Sequence, residues 1–195
     1  MIAPMPIGAP QFASFMALAF LFAGMVLRFR SKAPREGQAG RRAPLSIIGI
    51  LLQAGAMGLA GAGRIDMTLA PGDWRSIAAT LTVLLLNGGA VWLFVASAQA
   101  LGANWSLVAR TLSDHSLVTS GPFARVRHPI YAAMLLFLLG LAVAFGHEAQ
   151  LIVALPLFLI GTFIRTHSEE RLLKAQFGGA FDDYARTTPA LIPRP

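Results

Sequence analysis

Five apolar runs, separated by short polar stretches, limit what this chain can fold into more than any other feature. They cover residues 11–27, 44–63, 77–101, 130–145 and 151–164. A bilayer-spanning helix needs about 20 residues, with a working range of about 17–25. The second and third runs meet this comfortably, the first is borderline, and the last two are short unless their helices extend into the flanking polar residues. The chain has 195 residues, which favours one domain, and only 13% of them are charged. A soluble domain carries about a quarter charged residues, so this balance points to the bilayer. The expected fold is an all-α integral membrane domain over residues 1–195 with about five transmembrane helices. Residues 1–101 supply the first three. Residues 102–195 supply a polar loop, a helical hairpin and a tail.

The charges arrange themselves around those runs. Fourteen of the 16 basic residues fall in the first connection, the third connection and the C-terminal segment; Arg64 and Arg75 alone fall on the other side. By the positive-inside rule the N-terminus lies outside and the C-terminus in the cytoplasm. The formal charge of +7 therefore reads as topology and attraction to anionic lipid, not nucleic-acid binding. No Lys or Arg precedes Arg28, which argues against a leader with a basic start. An Arg-rich, Lys-poor composition suggests a bacterial source with GC-rich DNA, and hence an inner membrane. The absence of cysteine excludes disulfides, thiolate metal sites and thiol nucleophiles.

Within the second run, Ala54, Gly58 and Ala62 recur at helical spacing, with Gly55 and Gly61 nearby, as expected for close helix packing in lipid. Trp74 and Trp105 bracket the third run as interfacial anchors, and Trp92 inside it is expected to pack. Residues 102–128 form a loop longer than ordinary connections, with turn formers and a β-leaning piece at Ser116-Leu117-Val118-Thr119. Its apolar residues argue for order.

Polar chemistry concentrates on both sides of the last two apolar runs. Arg127-His128-Pro129-Ile130-Tyr131 leads directly into the fourth. Pro129 suits the first helical turn, which puts His128 at the N-cap. Arg165 to Lys174 follows the fifth run, and its helix is expected to continue past Ile164. There Arg165 with Glu169, and Glu170 with Lys174, are four apart and form expected ion pairs. Gly178-Gly179 is a stop signal, followed by an amphipathic piece over residues 181–186. Singly these residues have plain readings: a surface ion pair, a helix cap, an interfacial tyrosine, a solvated face. No metal-ligand spacing links His115, His128, His147 and His167, and neither a nucleophile elbow nor a glycine-rich phosphate loop is present. What remains is a polar pocket at one membrane face, suited to a cationic cofactor and an amphipathic substrate.

As an ordered set these residues resemble the isoprenylcysteine carboxyl methyltransferase family, integral-membrane enzymes that use S-adenosylmethionine. The resemblance is carried by Asn104-Trp105-Ser106, the stretch from His115 to Phe123, Arg127-His128-Pro129-Ile130-Tyr131, Arg165, Glu169-Glu170, Leu173, Phe177-Gly178, Tyr184, Pro189 and Pro193. It covers about the last 95 residues of the 195, while the first three runs match only in general character. It implies that His115, Leu117, Val118, Arg127, His128, Tyr131, Glu169 and Glu170 contact S-adenosylmethionine. It also implies that Arg165 and Glu169 serve catalysis, Arg165 at the acceptor carboxylate. Phe181 stands where many members carry Tyr, and Thr187 where they often carry Arg. The expected partners are a lipophilic or lipidated acceptor, of which a prenylcysteine is the type, and membrane lipid. A phospholipid amine acceptor is the alternative, with His115 or Glu169 taking the proton. A third reading is a sterol-reductase-like or binding membrane protein.

Overall fold

The computed structural model describes residues 4–32, 45–102 and 116–193. Within these the protein is helical: α1 (Ala9–Lys32), α2 (Leu45–Gly61), α3 (Trp74–Leu101), α4 (Pro129–Phe145), α5 (Leu151–Phe177) and α6 (Gly179–Thr187). One-turn 3-10 helices, Gly121–Ala124 and Glu148–Gln150, precede α4 and α5. No strand forms among the described residues; Gly8 and Leu69 make an isolated bridge. The expected β-leaning piece, residues 116–119, takes no regular structure.

Local chemistry sets the helix ends. The Asp73 carboxylate accepts the Arg75 amide at 2.8 Å to cap α3. Pro129 opens α4, with His128 at its N-cap as the sequence leads one to expect. Gly146 ends α4 in the left-handed region, φ +69°. Gly178, φ +54°, closes α5 and turns the chain into α6.

Among the described residues, three helical stretches are long and apolar enough to cross a membrane: Ala9–Phe29, Trp74–Leu101 and Glu148–Phe177. The expected continuation of the fifth run into polar residues occurs, and it supplies the length of the last stretch. The second run gives a shorter helix than expected, because the chain leaves helical geometry after Gly61; α2 and α4 have 17 residues each. Large apolar side chains such as Phe20, Leu85, Ile152 and Phe163 lie on the outer surface. In water such a surface would drive association; in a bilayer it meets acyl chains. Trp92, expected to pack, is 68% exposed and belongs to this outer surface.

The helices pack in two close groups, α2 with α5 and α3 with α4 and α1, with α4 also touching α2. Phe15, Phe22, Phe94, Phe137 and Phe145 join α1, α3 and α4 through ring contacts 4.9–5.5 Å apart. On α2 the buried stripe is Gly49, Gln53, Ala56 and Ala60, whereas Ala54 and Gly58 of the expected packing stripe face outward. The N-terminal segment docks at the end of the bundle holding the α2–α3 and α4–α5 connections: Met5 donates to Gly146 O and Ile7 to Asp66 O. The polar residues of interest gather at the opposite end.

Candidate functional site

Two adjacent carboxylates on the far half of α5 organise that end. Glu170 Oε1 accepts from Arg127 Nε and from His128 Nε2, each at 2.9 Å. Glu169 turns its Oε2 toward His128 Nδ1 at 3.6 Å, and its Oε1 accepts the Tyr131 hydroxyl. His128 is thus held between both carboxylates, and its side chain is 4% exposed. Burial by itself lowers the His128 pKa; hydrogen bonds and negative charge from Glu169 and Glu170 outweigh this and leave it above the ordinary imidazole value. Glu169 and Glu170 keep side-chain exposures of 26% and 28%. Their cationic partners lie on the inner side, and carboxylate edges remain open to solvent.

The α4 approach is held from behind by the tail. Arg127 N donates to Pro189 O at 2.8 Å, and His128 N to Ala190 O at 2.9 Å. The Arg127 guanidinium also donates to the carbonyls of Ala185 and Thr188 at the end of α6. Tyr184 donates its hydroxyl to Phe123 O at 2.7 Å, and burial raises its pKa to about 12, so it remains a donor. Phe181 is buried and packs edge-on against Tyr184, 6.4 Å between ring centroids. Thr187 is exposed and bonds back onto its own helix.

Arg165 departs from the expected surface ion pair. It is 7% exposed, donates Nη1 to Gln53 Oε1 on α2 at 2.8 Å, and lies with Cζ 4.8 Å from the Tyr131 ring centroid. Lys174 departs too: it pairs with Asp182 on α6 at 3.0 Å rather than with Glu170, because the turn at Gly178 brings α6 back alongside it. Of the sequence-derived set, Arg127, His128, Tyr131, Arg165, Glu169 and Glu170 therefore form one connected cluster. Leu117 and Val118 are half-buried in the segment leading to the first 3-10 helix. His115 lies outside the described residues. Sequence reasoning missed Gln53 and Thr162, whose only signal was an amide and a hydroxyl inside apolar helices.

A membrane-embedded helical bundle with paired carboxylates, arginines, a histidine and a tyrosine at one end defines a class of integral-membrane protein. Residues 75–180 match the family model described as phospholipid methyltransferase, and the chain belongs to that family. It is 31% identical to the nickel-cobalt-cadmium resistance protein NccN of Alcaligenes xylosoxydans xylosoxydans, over 63% of this chain and 64% of that protein. It is 33% identical to the cobalt-zinc-cadmium resistance protein CzcN of Cupriavidus metallidurans, over 63% of each. It is 35% identical to the protein-S-isoprenylcysteine O-methyltransferase of Schizosaccharomyces pombe, over 41% of this chain and 34% of that enzyme. The chain thus covers less than two thirds of the length of each of these relatives. Among the described residues no group of three or more His, Cys, Asp or Glu side chains is placed to hold a metal ion.

Proposed function

We propose that this protein transfers a methyl group from S-adenosylmethionine to the carboxylate of a small lipophilic acceptor of prenylcysteine type, at the cytoplasmic face of a bacterial inner membrane. The observation that carries this reading is the Glu169–Glu170 pair, braced by Arg127, His128 and Tyr131, with Arg165 buried beside it. The donor set suits the cofactor. Partly open carboxylate edges accept ammonium and hydroxyl hydrogens, and cationic partners behind them hold the carboxylates in place. Likeness to the yeast isoprenylcysteine enzyme over 41% of the chain supports the acceptor class.

When bound, S-adenosylmethionine supplies a sulfonium-activated, electrophilic methyl group. Glu169 and Glu170 would hold its polar groups, with Leu117 and Val118 as further contacts and Arg127 and His128 fixing the glutamates. Arg165 meets the acceptor carboxylate and aims it. A carboxylate is ionised at neutral pH, so no strong base is needed. What the protein contributes is alignment and removal of water from the nucleophile. The apolar tail of the acceptor lies among the helices in lipid. Calorimetry of the folded protein with S-adenosylhomocysteine tests this reading, and absence of binding rejects it.

The phospholipid methyltransferase family match favours a second reading, in which the acceptor is a phospholipid amine. Glu169 would then take the proton released on N-methylation. Incubation of lipid extract with methyl-labelled cofactor separates the two: a base-labile methyl ester supports the first, a base-stable N-methyl product the second.

A further inference from the structure

Gln53 lies within α2, a helix otherwise built of apolar and small residues, and is 1% exposed. A primary amide buried without partners is costly, more so where no water can substitute. Both ends of this one are used, and both partners belong to α5. Nε2 donates to Thr162 Oγ1 at 2.8 Å, and Oε1 accepts from Arg165 Nη1 at 2.8 Å. A guanidinium can only donate, so Arg165 dictates which way the amide faces.

The reach is short because two glycines face each other across the seam. A Cβ on Gly49 would stand 2.6 Å from Gly161 O, and one on Gly161 would stand 2.8 Å from Gly49 O. The space of the missing Gly49 side chain is taken by the Arg165 stem. The guanidinium is then fixed on two sides, by the amide and by the face of Tyr131, whose hydroxyl continues to Glu169.

We infer that Gln53 is a positioning residue: it sets the direction of the Arg165 guanidinium over Tyr131, so that α2 governs how the anionic end of an acceptor is received. The kinetic consequence rests on the proposed role of Arg165; the orientation of Arg165 does not.

The chain has two tyrosines. Incorporation of 3-fluorotyrosine gives two fluorine resonances in detergent, assigned with Tyr184→Phe. Gln53→Leu is expected to shift the Tyr131 resonance and leave that of Tyr184. Gln53→Glu keeps an acceptor for Arg165 and is expected to restore the Tyr131 resonance. With labelled S-adenosylmethionine and a prenylated cysteine bearing a free carboxylate, Gln53→Leu should raise the acceptor KM about tenfold, as for a lost charged hydrogen bond. Gln53→Glu should also raise it, because its charge neutralises Arg165. S-adenosylhomocysteine affinity should stay unchanged in both, and Ser46→Ala, at a buried position of the same helix, should alter nothing. If Gln53→Leu does not fold, Thr162→Val removes the other anchor and should shift Tyr131 less. A Tyr131 resonance unmoved in folded Gln53→Leu, or in folded Thr162→Val where Gln53→Leu does not fold, overturns the inference, as does an equal loss of acceptor and cofactor affinity in Gln53→Leu. Wild-type protein that binds no S-adenosylhomocysteine ends the proposed function instead, and the fluorine spectra still decide the positioning claim.

Discussion

His128 Nε2 stands 2.9 Å from Glu170 Oε1, while the opposite ring nitrogen faces the neighbouring carboxylate of Glu169. A neutral imidazole donates from one nitrogen only, so the protonated ring fits this slot better. Its folded pKa is raised above the unfolded value of about 6.5. The stabilisation is therefore fully present below that value and is lost as pH rises through the folded one. The melting temperature of the wild type should fall as pH rises above about 6.5, and His128→Asn should flatten that slope. Parallel slopes would contradict the assignment.

Glu170 is the shared acceptor of two cationic side chains, so removing it takes an anionic partner from both. Glu170→Ala should weaken S-adenosylhomocysteine binding by about a hundredfold, the scale of a lost charged network. Arg186, exposed on α6 and paired locally with Asp183, provides the control. Arg186→Ala should change affinity by less than about twofold, since exposed pairs contribute little.

Tyr131→Phe removes a single hydroxyl and keeps the ring under Arg165. Glu169 loses a donor that helps hold it in place. Calorimetry should show about a tenfold loss of S-adenosylhomocysteine affinity with the melting temperature nearly unchanged. A large drop in melting temperature would instead make the hydroxyl a folding contact.

Two glycines should separate stability from function. Gly146 has φ +69°, and a Cβ there would run into the Met5 carbonyl, far from the cluster. Gly146→Ala should lower stability by about 1–3 kcal/mol and leave cofactor affinity alone. Gly161→Ala pushes its Cβ toward the Gly49 carbonyl, and should lower stability by about as much while also raising the acceptor KM. Thermal melts paired with kinetics distinguish the two.

The helices were legible because hydropathy and end signals agree: Pro129 opens α4, Gly178 closes α5, and the polar continuation of α5 is real. The core of the cluster was legible from the ordered polar residues on both sides of the last two apolar runs. The packing face of α2 was not. In lipid both sides of a helix are apolar, so spacing alone cannot tell the Ala54–Gly58 side from the Gly49–Gln53 side. Gln53 escaped notice for the same reason, a lone amide with no pattern around it. Helical spacing alone pairs Lys174 with Glu170, yet the chain reversal after Phe177 supplies a nearer partner in Asp182.

Gly178 meets no atom within 4 Å of where a side chain would begin, so nothing crowds it; only its left-handed backbone reserves the position for glycine. That one torsion aims α6, and α6 presents the Ala185 and Thr188 oxygens that grip Arg127. A solvent-side replacement with no steric clash would therefore be felt several residues away, as a loosened arginine and a carboxylate left without its brace.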